Sequence, residues 1–82
     1  MTKYVIMFAV YGADGYRYRQ PLVDDARRPI LFDSPADARA GLEASADAWE
    51  AQRSWTASRR AAYVGNASVE ETRNAYWLAG AQ

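Results

Sequence analysis

The stretch Lys3-Tyr-Val-Ile-Met-Phe-Ala-Val-Tyr11 decides the fold of this chain. It is rich in aromatic and β-branched residues, and it is apolar on both of the residue sets that alternate along a strand. A strand with one face in water carries polar residues on that face, whereas a strand covered on both faces does not. The sequence therefore predicts a central β-strand over residues 3–11.

The segment that follows predicts a hairpin. Gly12-Ala-Asp-Gly15 consists of residues suited to a tight turn, and Tyr16-Arg-Tyr-Arg-Gln20 then alternates between aromatic and cationic side chains. Pro21 ends this second strand, because proline has no N–H to donate to a ladder. After a charged connection, Pro29-Ile-Leu-Phe-Asp33 predicts a third short strand.

A long helix is predicted to begin after Ser34. Ser34 suits an N-cap, Pro35 suits the first helical position, and the carboxylate of Asp37 suits the first turn. Trp55 lies nearly opposite the apolar stripe of this helix, so we expect a kink or break between Gln52 and Thr56. The stripe itself has helical spacing and consists of Ala38, Leu42, Ala46 and Trp49.

The end of the chain predicts further helical structure. Gly65-Asn66 is a helix stop signal, and Ser68-Val-Glu-Glu71 has the form of a capping box that opens a last short helix through about Leu78. The predicted order is β-β-β-α-α-α within one domain, residues 1–82. This order predicts an α+β fold, in which a three-stranded antiparallel-type sheet is followed by two or three helices packed on one face.

The composition argues against catalysis. The 82 residues include no histidine and no cysteine, which removes the usual general base, the common nucleophilic triads and the commonest zinc ligands. The spacing of the aspartates matches no calcium loop, and the Gly12 and Gly15 pair matches no phosphate-binding loop. We therefore expect a protein that is not an enzyme, with no catalytic residues, no metal and no cofactor.

The same composition suggests where the protein works. Ten basic residues balance ten acidic ones, so the net charge gives no general attraction to nucleic acid or anionic lipid. The lack of cysteine fits a reducing compartment, and no apolar run reaches the length of a membrane span or has the pattern of a signal peptide. These features predict a cytoplasmic protein with no membrane partner.

Two sets of residues suggest a surface that binds another protein. The first is an acidic helix flank, which can match a basic groove on a partner. The second is a pair of tryptophans, a residue type that is common in interface hot spots. The predicted partner-binding residues are Glu43, Asp47, Glu50, Trp55 and Trp77.

An alternative hypothesis is a nucleic-acid-binding accessory domain. Aromatic and arginine residues interleaved on a strand can stack bases and neutralise phosphates. The residues for this role are Tyr16, Arg17, Tyr18, Arg19, Arg27 and Arg28. The competing interpretation is an ordinary half-buried strand, with its tyrosines beneath a helix and its arginines in water.

The leading functional hypothesis is a protein-binding module that blocks a larger protein or nucleoprotein machine in the cytoplasm. Small, cysteine-free chains without motifs are frequent among phage and mobile-element products, anti-CRISPR inhibitors included, which would place this one in a host cell cytoplasm. That comparison concerns size and character, not matched residues. A third hypothesis is a self-associating structural protein, such as a homodimer that buries Trp55 and Trp77 between copies.

Overall fold

The computed structural model describes residues 2–80 and has an α+β fold. A three-stranded sheet has the order β2-β1-β3, and both pairings are antiparallel. The predicted fold class and the central position of the first strand are thus confirmed. In chain order the elements are β1 (Lys3–Tyr11), β2 (Arg17–Pro21), α1 (Pro35–Arg53), α2 (Ala57–Gly65), β3 (Ala67–Thr72) and α3 (Ala75–Gly80).

The core lies between one face of the sheet and the first two helices. Ile6 is opposite Val69 in the register of β1 with β3, and both belong to the apolar cluster that contains Ala38 and Leu42 of α1. Tyr63 and Val64 bring α2 onto the same cluster. Val5 points to the other face of β1 by strand alternation and is also buried, which explains why β1 is apolar on both sides.

Helix α1 begins where the sequence predicts. The Ser34 side-chain oxygen accepts a hydrogen bond from the backbone N–H of Asp37 at 3.1 Å, and proline occupies the first turn. The apolar stripe of α1 is confirmed at Ala38, Leu42 and Ala46, which are buried, and the first two of these belong to the core cluster with the sheet. Trp49, at the far end of the stripe, is 36% exposed, so it lies at the margin of the core.

The predicted break between the first two helices is confirmed at Ser54. This residue caps α1 in the left-handed region, with φ 52° and ψ 46°. Thr56 then caps α2, its side-chain oxygen accepting from the backbone N–H of Arg59 at 3.1 Å. The two helices are therefore separate elements joined by a tight corner.

Replacing Ser54 with glycine should stabilise the protein. A non-glycine residue in the left-handed region costs roughly 1–2 kcal/mol, and the extra freedom of glycine in the unfolded chain offsets part of the gain. We expect a net increase of about 0.5–1 kcal/mol in the free energy of unfolding, measured by urea denaturation. The matched control is Ser58→Gly, inside α2, which should instead lose about 0.5 kcal/mol. A loss of stability in Ser54→Gly would contradict the assigned conformation.

The segment Pro29-Ile-Leu-Phe-Asp33 is not the third strand that the sequence predicts. It makes only isolated bridges, in which Phe32 exchanges backbone hydrogen bonds with Tyr4 and Pro29 pairs with Val23. Hairpin strand β2 and Leu22 already occupy the same edge of β1 as far as Ile6. Little of that edge remains, so a full strand cannot form there.

The third strand is Ala67–Thr72, where the sequence predicted a helix. The prediction that residues 68–71 form a capping box is wrong, since these residues lie within β3. The Ser68 hydroxyl donates to the Glu70 carboxylate at 2.6 Å instead of capping a helix. A short helix is costly to nucleate, whereas pairing with the second edge of β1 adds a complete ladder. The last helix starts later, where the Asn74 side chain accepts from the backbone N–H groups of Tyr76 and Trp77. The observed order is therefore β-β-α-α-β-α.

Candidate interaction surface on the first two helices

The three predicted acidic residues converge on one arginine that the sequence analysis did not select. Arg60 of α2 donates to Asp47 at 2.7 Å and to Glu50 at 3.1 Å through Nη1. It donates to Glu43 at 2.8 Å through Nη2. These residues are 10–17 positions apart in the chain, so their meeting depends on the packing of α2 against α1. We call this group the carboxylate cluster.

The carboxylate cluster keeps an excess of negative charge. Three carboxylates and one guanidinium leave a formal charge of −2. The carboxylates, led by that of Asp47, raise the pKa of Arg60 above its usual range, so this guanidinium stays charged. The side chains of Glu43 and Asp47 are 60% and 71% exposed, while that of Arg60 is only 24% exposed. Solvent therefore meets mainly the acidic part of the cluster.

An open cleft runs beside the carboxylate cluster between the two helices. Its volume is about 580 Å³, and its remaining walls are Ala57, Ala61 and Val64. The lining thus combines small apolar side chains with carboxylates. This arrangement suits the aliphatic stem and charged head of a long basic side chain.

The two tryptophans near the corner form a row of aromatic rings that leads out of the core. Phe8 packs on Tyr63 with ring centroids 4.9 Å apart, Tyr63 on Trp55 at 5.2 Å, and Trp55 stacks on Trp49 at 6.2 Å. The Tyr63 hydroxyl and the Ser45 hydroxyl share a hydrogen bond of 2.7 Å. The row therefore holds Trp55 against its own chain, where it is half-buried.

Two arginines cover the outer end of this row. The guanidinium carbon of Arg53 lies 5.0 Å from the Trp49 ring centroid, and that of Arg59 lies 5.8 Å from the Trp55 centroid. Sequence analysis did not select either arginine. Each arginine follows its tryptophan by four positions in the sequence, a spacing that brings Trp49 and Arg53 together along α1. Trp55 precedes α2, so its contact with Arg59 depends on how the chain enters that helix. We call these four residues the Arg–Trp corner.

Trp77 does not join this surface through the aromatic row. It lies on α3, which follows β3, and it is half-buried. Its neighbour Tyr76 is 89% exposed. Of the five predicted partner-binding residues, the structure groups the three acids around Arg60 and places Trp55 at the adjoining corner.

The residues proposed for nucleic acid do not share one face of the sheet. Strand alternation places Arg17 and Arg19 on the face away from α1, and Tyr18 on the opposite face beside Val10. Tyr16 precedes β2 and is exposed. Tyr18 lies on the helix side of the sheet, but its position at the end of the sheet leaves it 48% exposed, and Tyr16 is 71% exposed. The structure therefore does not place these two tyrosines beneath a helix.

Several of these side chains already have partners within the chain. Arg19 pairs with Glu70 across β1, and Arg28 pairs with Asp24 at 3.6 Å. Arg27 occupies a turn with φ 62°. Backbone hydrogen bonds from the turn, chiefly from Arg28, hold the pKa of Asp24 below its usual range. A continuous strip of aromatic rings and free cations is therefore not formed.

Tyr18 also sets the ionisation of Asp14. The Tyr18 hydroxyl donates to Asp14 Oδ2 at 2.6 Å, and the Tyr16 backbone N–H donates to Oδ1 at 3.0 Å. Both bonds favour the carboxylate, so the pKa of Asp14 is lowered, with the tyrosine hydroxyl as the main cause. The same contact raises the pKa of Tyr18.

Replacing Tyr18 with phenylalanine should raise the pKa of Asp14 toward its ordinary value, as measured by a carbon-13 NMR titration of the carboxyl group. Because the folded pKa is the lower one, the stabilisation from Asp14 is complete above the ordinary carboxyl pKa. It is lost as the pH falls through the lowered folded pKa. Tyr16→Phe is the matched control, since only its backbone contacts Asp14. An unchanged Asp14 pKa in Tyr18→Phe would contradict this contact.

Within residues 2–80, no group of three or more acidic side chains is arranged to hold a metal ion. None of the helices in that part of the chain combines the length and the apolar character needed to cross a bilayer. Comparison of the chain with protein-family models, with curated proteins and with solved structures finds no match. No relative therefore suggests a role for these surfaces.

Proposed function

We propose that this chain is a non-enzymatic protein-binding module whose carboxylate cluster docks on a basic region of a larger protein or nucleoprotein complex. The observation that supports this proposal is the sharing of one guanidinium by three carboxylates that line an open cleft. Arg60 is itself a basic side chain bound by this cluster. A partner's arginine or lysine would meet the same chemistry at the exposed oxygens of Glu43 and Asp47.

Residual charge and shape both favour a basic partner. Exposed charges contribute mainly to the rate and specificity of association, because they steer the approach of an oppositely charged surface. The apolar side chains in the lining of the cleft add contact area for the stem of the incoming side chain. The absence of histidine and cysteine from the chain is the reason for proposing recognition without catalysis.

The test removes charge without removing hydrogen-bond acceptors. In the double variant Glu43→Gln/Asp47→Asn, the amide oxygens can still accept from Arg60, so the two helices stay joined. Asp25→Asn/Glu71→Gln is the matched control, because it removes the same charge from exposed positions outside the cluster. Circular dichroism confirms that both variants are folded.

Affinity capture from lysate followed by quantitative mass spectrometry compares the three forms. We expect a basic partner that wild type and control retain and that the cluster variant loses. With that partner purified, association at low salt should slow by roughly tenfold in the cluster variant, and added salt should narrow the difference. Equal capture by all three forms would refute the role of the cluster.

The finer form of this proposal is an inhibitor encoded by a phage or mobile element and active in the host cytoplasm, of the anti-CRISPR kind. The small size, the balanced charge and the lack of histidine and cysteine support it. Expression of the chain in a CRISPR-immune host should then restore plaque formation by the targeted phage. The variant Glu43→Gln/Asp47→Asn should restore fewer plaques than the wild-type chain does. Unchanged plaque counts across several CRISPR types would remove this finer form.

A further inference from the structure

The Arg–Trp corner has a chemistry opposite to that of the carboxylate cluster. Arg53 ends α1 and Arg59 lies in the first turn of α2, on either side of the break at Ser54. The arginines that form ion pairs within residues 2–80 are 19, 28, 60 and 73, so neither corner arginine has an acidic partner there. Arg53 and Arg59 thus each lie close to an indole ring, and neither forms an ion pair with a carboxylate in the described part of the chain.

Contact with the indoles prepares these guanidiniums for binding. A cation within about 6 Å of a ring centroid is attracted to the ring, and both distances here meet that limit. A guanidinium that is already placed loses less side-chain freedom when a ligand arrives. Its N–H donors lie in the guanidinium plane, so they can still reach a carboxylate or a phosphate in bidentate geometry.

The rings themselves offer little room for a nucleobase. Trp49 has Arg53 and Trp55 against its ring, and Trp55 has Trp49, Tyr63 and Arg59. Base stacking on an aromatic side chain needs a free ring face. The carboxylate cluster, with its formal charge of −2, also lies on α1 and includes Glu50, one residue from Trp49, so it would repel a long polyphosphate backbone. A short acidic protein segment needs no free ring face, and because it carries fewer charges than a long polyphosphate the cluster repels it less.

We propose that the Arg–Trp corner binds the carboxylates of an acidic protein segment. This site is separate from the carboxylate cluster and does not rest on the proposed function. If both surfaces are used, the partner presents acidic and basic groups side by side. Tryptophan and arginine together have the composition of an interface hot spot.

The test uses hexaglutamate as the acidic probe and tryptophan fluorescence as the readout. Trp49 and Trp55 lie in the site, and Trp77→Phe removes the third tryptophan from the signal. Two-dimensional NMR of the wild-type chain provides a second readout that does not depend on that substitution. At low ionic strength we expect a saturable change at the corner residues.

Three variants separate a specific site from general charge attraction. Arg53→Ala/Arg59→Ala should weaken hexaglutamate binding by roughly tenfold or more, because hydrogen bonds to charged groups contribute strongly. Arg53→Lys/Arg59→Lys keeps the charge but loses the planar donors. Its affinity for hexaglutamate should therefore lie between that of wild type and that of Arg53→Ala/Arg59→Ala. Arg17→Ala/Arg27→Ala removes the same charge elsewhere and should bind as wild type does.

Three outcomes would overturn the proposal. The first is the absence of saturable hexaglutamate binding at low salt. The second is equal weakening by the corner variant and the Arg17→Ala/Arg27→Ala control. The third is tighter binding of oligothymidylate than of hexaglutamate through the same two arginines, which would identify a nucleic-acid site instead. None of these outcomes bears on the carboxylate cluster, so the two proposals can fail separately.

Discussion

Replacing Ile6 with alanine should lower the free energy of unfolding by about 2–5 kcal/mol, the range for removing a large buried aliphatic side chain. Ile6 is fully buried, and it is the largest such side chain in the described part of the chain. It lies at the centre of the sheet, between Val69 on β3 and Leu42 on α1. The substitution loses apolar burial and leaves a cavity that these neighbours can only partly fill.

The size of the domain makes this loss severe. At about 0.05–0.15 kcal/mol per residue, 82 residues give a total stability of about 4–12 kcal/mol, so Ile6→Ala removes a large share of it. Urea denaturation followed by circular dichroism measures the change. Ile6→Val should cost only about 0.5–1.5 kcal/mol, and Val23→Ala, at an exposed position, should stay within about 0.5 kcal/mol of wild type. A loss below about 1 kcal/mol in Ile6→Ala would show that Ile6 is not in the core.

Replacing Gly41 with alanine should destabilise the protein by about 1–3 kcal/mol, the usual cost of overpacking. Helix propensity alone predicts the opposite sign, since alanine is favoured over glycine by about 1 kcal/mol inside a helix. A Cβ atom at Gly41 would lie 2.5 Å from both Cε1 and Cζ of Phe32. The backbone of Phe32 is hydrogen-bonded to Tyr4 in both directions, so the ring cannot move away with its backbone.

A double-mutant cycle isolates this contact. Phe32→Ala alone should strongly lower the free energy of unfolding. Adding Gly41→Ala to that variant should leave the free energy of unfolding unchanged or raise it, because the Phe32 ring no longer occupies the space next to position 41. Ala48→Gly, at an exposed position of the same helix, measures the difference in helix propensity between alanine and glycine at a site where no side chain contacts Phe32. Stabilisation by Gly41→Ala in the wild-type background would show that Phe32 does not pack on Gly41. Chemical denaturation provides the free energies.

The candidate surface could be predicted only in part. The acidic flank on α1 follows from helical spacing, so Glu43, Asp47 and Glu50 were found as a group. Their common partner Arg60 belongs to another helix, and no local pattern connects it to them. The residual charge of the group, and its cleft, therefore depend on how the two helices pack. The Arg–Trp corner is intermediate in how far it can be predicted. The four-residue spacing of each arginine from its tryptophan can be read from the sequence, whereas the stacking of Trp49 on Trp55 depends on the turn between the two helices.

Elements with local signals could be predicted from the amino-acid sequence. The apolar run of β1, the turn after it, the Ser34 cap of α1 and the break at Ser54 depend on side chains within a few positions of one another, and all appear in the structure. The identity of the third strand, in contrast, depends on the packing of the whole chain. Residues 29–33 and residues 67–72 are both candidates for the third strand. The third strand is formed by residues 67–72, which pair with the edge of β1 that β2 leaves free. Residues 67–72 pair along six positions there, whereas Phe32 finds room for one bridge. That choice depends on pairing between residues 59–69 positions apart in the chain, which no local pattern contains.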